Sequence, residues 1–147
     1  MRTENSIRPA EKMTYDKGFM VFNDLSSIVE EQRQDEIVFI YQSYQLTIDC
    51  TEKYAKEHLD ELYNYAVQKE YDTLANAIRE KRNRLLAESD KYMALDRLDL
   101  DTSSAIKFLA SLKNIFNNSY AKYRQELRDI TNQPNYPYEV VFPTKPE

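Results

Sequence analysis

Glycine, cysteine and tryptophan are almost missing from this chain. Of 147 residues, one is glycine (Gly18), one is cysteine (Cys50) and none is tryptophan. A typical domain of this length has about ten glycines, because tight turns and phosphate-cradling loops need residues that adopt positive φ. The shortage argues against a meander of tight turns and against a glycine-rich nucleotide site. A single cysteine excludes an internal disulfide framework.

The chain also lacks long apolar runs and an excess of positive charge. Its longest strictly apolar stretch is only a few residues, too short for a transmembrane helix or for the core of a secretory signal. Twenty basic residues stand against 25 acidic ones, for a net charge of −5, which disfavours nonspecific binding to nucleic-acid phosphates. This composition predicts a soluble domain, or a small domain with an extension.

The N-terminal third gives the weakest structural signal. Residues 1–16 are polar and show no period of either kind, so we expect an arm that is disordered alone or ordered only on a partner. Residues 18–24 contain a short apolar run that fits a strand. Ile37–Ile48 is rich in β-branched and aromatic residues, and its second half alternates apolar and polar side chains, as strands do. Apolar residues in and before this stretch also fit one helical face, so strand and helix both stay open here.

Two later segments carry a clear helical signal. Apolar side chains recur at steps of three, four and seven over Thr51–Asp90 and again over Ile106–Ile130, which is the period of an amphipathic helix. Thr51 is the predicted N-cap, and we expect either one long helix or two joined near Glu70–Asp72. Met93–Ser104 interrupts the pattern with a loop that ends in a cluster of N-capping residues.

The tail Asn135–Glu147 is rich in proline and surrounds a short apolar group, Val141 and Phe142. Proline removes backbone donors and stiffens the chain, so the composition predicts an extended segment. Two alternatives remain. The apolar group folds back onto the helical hairpin of its own chain, or it inserts into a partner protein.

These patterns together predict a mostly α-helical protein. We expect a long helix, a C-terminal helical hairpin and the extended proline-containing tail, with a small β element or a further helix in the N-terminal third. The predicted organisation is a flexible arm over residues 1–16, an N-terminal region over 17–80 that ends in a long helix, and a C-terminal module over 81–147.

No group of residues in the sequence indicates catalysis, a metal site or a cofactor. His58 is the only histidine, and with Cys50 it lacks partners at ligand or catalytic spacing, so we predict a surface imidazole and an inert thiol. Asp96, Asp99 and Asp101 are spaced as in a calcium loop but lack its central glycine and closing glutamate. A helix-capping loop is the better interpretation. We therefore predict no enzymatic activity and no cofactor.

Three ordered motifs in the second half of the chain are more specific. Lys81–Asp90 reads KRNRLLAESD, Tyr120–Ile130 reads YAKYRQELRDI and Val140–Pro146 reads VVFPTKP. In this order they resemble the phage tail assembly chaperone family, over Lys81–Glu147. Lys91, Tyr120 and Phe142 occupy positions at which the family pattern has tryptophan.

The resemblance implies a tailed-phage context. It suggests a non-enzymatic tail protein that acts in tail or tail-fibre assembly, or that stays in the virion as a tail or baseplate component. The implied partners are other phage tail, baseplate or tail-fibre proteins, with self-association open and with no nucleic acid or membrane expected. The implied location is the host cytoplasm during assembly, or the virion tail. The alternative is a small phage-encoded regulatory binder that inhibits a host system, its acidic charge imitating nucleic acid.

The motifs also supply the candidate structural or partner-binding residues. Tyr123, Leu127 and Ile130 share one helical face and would pack on the preceding helix. Arg124 and Arg128 line an adjacent face, where Glu88 or Asp90 could meet them in a structural ion pair. The full set of candidates is Arg82, Leu86, Asp90, Tyr120, Tyr123, Arg124, Arg128, Asp129, Phe142 and Pro143.

Overall fold

The computed structural model describes residues 1–93, 101, 103–116 and 119–146. The chain divides into two compact units, Met1–Asp72 and Thr73–Glu147. The described elements are the strands β1 (Arg2–Asn5), β2 (Met13–Asp16), β3 (Phe19–Asn23), β4 (Val29–Arg33) and β5 (Glu36–Thr47), and the helices α1 (Glu52–Glu57), α2 (Leu59–Asp90), α3 (Ala105–Phe116) and α4 (Ser119–Arg128).

A five-stranded antiparallel sheet fills much of the N-terminal unit. The prediction of a mostly α-helical protein with a small β element is therefore wrong. β1 and β2 lie in the segment that the composition assigned to a disordered arm, and the structure has strands there instead. For Ile37–Ile48 the strand alternative is the one found, as β5.

β5 is the centre of the sheet. One edge pairs with β1, where Arg2 lies opposite Gln42. The other edge pairs first with β4, over residues 36–40, and then with β3, over residues 43–47. A 3-10 turn, Leu25–Ser27, separates β3 from β4. β2 completes the sheet by pairing with β3.

The one glycine sits where the chain needs it. Lys17 and Gly18 form the two-residue turn between β2 and β3, and both have positive φ, 45° and 84°. Such turns match the twist of the strands they join. A Cβ at position 18 would lie 2.6 Å from the carbonyl oxygen of Ile48, so glycine is required by space as well as by φ.

The core of the N-terminal unit lies between one face of the sheet and the helices that follow it. Alternate residues of β3 and β5 point into it, as the period of a strand requires. Phe22 and Tyr44 each meet the ring of Tyr63 edge-on, with centroids 6.1 and 5.7 Å apart. The buried members are Met13, Met20, Phe22, Tyr44, Leu46, Ala55, Leu62 and Ala66.

The first helical segment begins as predicted but divides elsewhere. The hydroxyl of Thr51 accepts a hydrogen bond from the backbone N–H of Tyr54, at 3.3 Å, and so caps α1. The joint between α1 and α2 is at His58, which has non-helical backbone angles, and not near Glu70–Asp72. α2 then continues for 32 residues.

The C-terminal unit contains the end of α2, then α3, α4 and a 3-10 turn, Asp129–Asn132. Within the helix predicted over Ile106–Ile130 the structure describes α3 and α4, and residues 117–118 lie outside the described part. The hydroxyl of Ser104 accepts from the N–H of Lys107 and caps α3. Asp96 and Asp99 of the predicted capping loop also lie outside the described residues.

Candidate functional site

Arg124 of α4 holds the last turn of α2. Its Nη1 donates to the carbonyl oxygen of Leu86 at 2.8 Å and to the hydroxyl of Ser89 at 2.5 Å, and it lies 2.6 Å from a carboxylate oxygen of Asp90. The arginine side chain is only 15% exposed, whereas that of Asp90 is 67% exposed. A cation at this end of a helix also complements the partial negative charge of its free carbonyls.

Aromatic rings form a second contact in the same unit. Tyr92 stacks on Tyr120 with centroids 4.2 Å apart, and Tyr120 meets Tyr123 edge-on at 6.4 Å. The nearby Tyr120 hydroxyl lowers the pKa of Tyr92, and Lys91 adds to the effect. Burial raises the pKa of Tyr120 and also that of Tyr123. Tyr92 directly follows Lys91, the position at which the family pattern has tryptophan, so an aromatic ring is present one residue later.

The proline-containing tail lies against its own unit. The side-chain amide of Gln133 makes two hydrogen bonds of 2.8 Å with the backbone of Val141. The hydroxyl of Tyr120 donates to the carbonyl oxygen of Pro146 at 3.0 Å. The ring of Phe142 lies 4.0 Å from Nζ of Lys81, a cation–π contact. Val141 itself stays 77% exposed.

Two surface cavities flank α4, and their charges differ. The first, of about 530 Å³, is lined by Met93, Ala121, Lys122, Arg124, Gln125 and Arg128; we call it the basic cavity. The second, of about 370 Å³, is lined by Glu126, Asp129, Gln133, Val141 and Pro143; we call it the acidic cavity. α4 thus separates a cationic from an anionic side.

α3 exposes apolar side chains. Ile106 is 82% exposed and Leu109 is 65% exposed. The charged residues of α3 are two lysines, Lys107 and Lys113. Contiguous exposed apolar side chains on a helix are typical of surfaces that contact other proteins.

The structure brings only some of the candidate residues together. Arg124 meets Asp90, and Tyr120 meets Tyr123. Arg128 lines the basic cavity, Asp129 and Pro143 line the acidic cavity, and Phe142 stacks on Lys81. Arg82 contacts the side chain of its neighbour Asn83. Leu86 is half-buried.

The described residues contain no group of three or more side chains that could hold a metal ion. His58 ends α1, with its ring stacked on Tyr54, and Cys50 is a half-buried free thiol. None of the helices in the described part is long and apolar enough to cross a membrane.

The second unit also matches a known family. Residues 75–147 fit the family model described as phage tail assembly chaperone protein. This half of the chain belongs to that family. Searches of curated proteins and of solved structures gave no significant match.

The match to the phage tail assembly chaperone family confirms the resemblance that the three sequence motifs indicated. The matched region begins six residues before the first motif. Its start, residue 75, lies close to the start of the C-terminal unit at Thr73. The match supports a role in phage tail assembly. The first motif, Lys81–Asp90, contacts the second, Tyr120–Ile130, because Arg124 donates a hydrogen bond to the carbonyl oxygen of Leu86 near the end of α2.

Sequence reasoning missed two contributors to this module. Ser89 is 1% exposed and bridges Arg124 to the carbonyl oxygen of Leu86. The sequence indicated a role for Ser89 only through its position in the first motif, between Glu88 and Asp90. Lys122 was also missed, although Lys122 and Arg128 each lie three residues from Gln125 along α4, which places them on either side of it.

Replacing Arg124 by methionine is expected to destabilise the C-terminal unit by about 2 kcal/mol. Methionine keeps much of the apolar stem but loses the hydrogen bonds to Leu86 and Ser89. Asp90→Asn is the control. Because Asp90 is mostly exposed, its loss should cost less than about 1 kcal/mol. Urea unfolding followed by circular dichroism measures both, and equal effects of the two changes would contradict this account of the contact.

Proposed function

We propose that the protein is a non-enzymatic assembly factor of a phage tail, whose chaperone-family module binds another tail, baseplate or tail-fibre protein. The observation that carries the proposal is the family match over residues 75–147. That range nearly coincides with the compact unit Thr73–Glu147. A match to a whole compact unit supports a complete binding module more strongly than a match to isolated motifs.

The surface of the module supports binding to protein. Ile106 and Leu109 expose apolar area on α3, and the two cavities beside α4 offer charges of opposite sign. Interfaces between proteins commonly combine apolar anchors with a charged rim. In this proposal the protein acts in the host cytoplasm while tails are assembled and is absent from the finished virion.

The N-terminal unit adds a distinct charge. Residues 1–72 contain 8 basic and 15 acidic residues, a net charge of −7, while residues 73–147 contain 12 basic and 10 acidic residues, a net charge of +2. The acidic excess of the whole chain therefore comes from the unit outside the family match. Charge of one sign keeps a protein soluble and steers its association with partners, which suits a protein that binds another tail component.

Deletion of the gene from the phage that carries it tests the proposed function. We expect particles with missing or defective tails, with normal tails restored when the intact protein is supplied from a plasmid. Electron microscopy of the particles and mass spectrometry of purified virions are the measurements. Tail defects with no protein in wild-type virions support an assembly factor. Stoichiometric protein in virions would establish a structural component instead, and normal tails after deletion would favour the regulator of a host system.

A further inference from the structure

The basic cavity combines three cations with a small apolar wall. Lys122 and Arg128 are exposed, and among the described residues neither side chain has an ion pair or hydrogen bond. Met93 and Ala121 supply apolar surface. No carboxylate occurs among the described lining residues. We propose that the basic cavity binds an acidic peptide segment of the partner protein, an inference that rests on the proposed function.

Arg124 contributes unused donors to this cavity. Its contacts with Leu86, Ser89 and Asp90 all use Nη1. No buried nitrogen or oxygen in the described side chains lacks a partner, so Nη2 and Nε keep access to solvent. A guanidinium held in place by one nitrogen presents the others in a fixed geometry that suits a carboxylate. The structural contact therefore orients a binding group.

The size of the basic cavity and the charge of the acidic cavity limit the kinds of ligand that can bind beside α4. A volume of about 530 Å³ accommodates a few side chains, as ligand-binding clefts do. Met93 offers a flexible apolar contact for the aliphatic part of such a segment. Glu126 and Asp129 line the acidic cavity and repel carboxylates from that side of α4. An acidic segment is thereby directed to one side of the helix.

A peptide fits these observations better than a nucleic acid. A phosphate backbone carries charge along its whole length and gains affinity from many cations. The described lining of the basic cavity has three cations, one of which is already paired with Asp90. The net charge of the chain, −5, repels a long polyanion more strongly than a short one. A short segment with two or three carboxylates needs only the few cations that the basic cavity provides.

Fluorescence anisotropy with the full-length protein tests the inference. The probe is a labelled peptide of alternating leucine and glutamate, and its counterpart has glutamine in place of glutamate. We expect the glutamate peptide to bind at least about tenfold more tightly than the glutamine peptide, and to weaken as salt is added. Equal binding of the two peptides would overturn the proposal. Tighter binding of a labelled single-stranded oligonucleotide than of the glutamate peptide would also overturn it, in favour of a nucleic-acid site.

A pair of double variants locates the binding. Lys122→Glu with Arg128→Glu reverses the two cations of the basic cavity that hold no structural contact. Arg84→Glu with Lys113→Glu is the matched control, because it changes the net charge equally at exposed positions of the same unit. We expect the first variant to weaken binding of the glutamate peptide by about tenfold or more, and the control by much less. Equal losses would show that overall charge, not the basic cavity, binds the peptide.

The outcomes also separate this inference from the proposed function. Circular dichroism should show closely similar helix content and melting temperature for the two variants. None of the four side chains has an ion pair or hydrogen bond among the described residues, and each variant places one glutamate in the last turn of a helix. If the cavity variant restores tail assembly in the deletion phage as well as the intact protein does, the basic cavity is not the partner site, although the assembly role stands. If it fails while the control variant succeeds, the cavity is supported. Normal tails without any protein would reject the assembly role itself.

Discussion

Replacing Phe22 with alanine is expected to destabilise the N-terminal unit by about 3–5 kcal/mol. The side chain is fully buried on the inner face of β3, where it contacts the ring of Tyr63 edge-on. Truncation removes its apolar area from the core and leaves a cavity that the surrounding sheet cannot close. Urea unfolding followed by circular dichroism gives the free energy of unfolding.

Phe19→Ala is the matched control for this change. Phe19 lies on the same strand but is 41% exposed, because three positions along a strand reverse the face. We expect a loss of less than about 1 kcal/mol there. A small effect at Phe22, or comparable effects at both positions, would show that β3 does not cover the core as described.

Replacing Leu127 with alanine is expected to destabilise the C-terminal unit by about 2–5 kcal/mol. Leu127 is fully buried on the face of α4 that it shares with Tyr123, and Ile130 of the 3-10 turn that follows is buried as well. Alanine favours the helix itself, so the loss arises from packing and not from helix propensity. The midpoint of urea unfolding should fall while the far-ultraviolet circular dichroism of the folded protein stays the same.

Leu109→Ala provides the same substitution at an exposed helical site. With 65% of Leu109 accessible to solvent, the change should fall within about 0.5 kcal/mol of zero. We expect the loss of stability from Leu86→Ala to lie between those from Leu127→Ala and Leu109→Ala, because Leu86 is half-buried. A leucine fully buried between the two helices of a hairpin would lose more stability. An unchanged stability for Leu127→Ala would contradict the packing of α4.

The helices α2 and α4 could be predicted from this sequence because each buries apolar side chains at helical spacing. The spacing of Tyr123, Leu127 and Ile130 placed the inner face of α4 and its continuation, and all three are buried. Thr51 could be recognised as a cap from its side chain and position. The joint at His58 could not be predicted, because neither proline nor glycine marks it and the apolar residues keep their helical spacing past it.

Most of the sheet escaped prediction for a physical reason. All five residues of β4 are exposed, and β1 has a single half-buried residue. Such strands are held by backbone pairing to β5 and bury no continuous face, so their side chains need not alternate. β5 and β3 supply most of the strand residues in the core, with Met13 of β2 beside them. Only β5 and β3 had a detectable apolar pattern in the sequence.

The candidate site was predictable in part. The ion pair of Arg124 with Asp90 was one of the pairings that the motifs indicated. The hydrogen bond from Arg124 to the carbonyl oxygen of Leu86 could not be predicted, because a backbone acceptor has no signature in the sequence. The basic cavity depends on how α4 lies beside Met93, and only the folded structure shows that.

The pairing of β1 sets an order in which the sheet can form. β2 with β3, and β4 with β5, are each closed by a two-residue turn, and hairpins of this kind form in about 1–10 μs. β1 must instead find β5 across 40 residues, from Arg2 to Gln42, which carries a larger entropy of loop closure. We therefore expect the first strand of the chain to join last, and local opening should release its amide hydrogens to exchange before those of the hairpins.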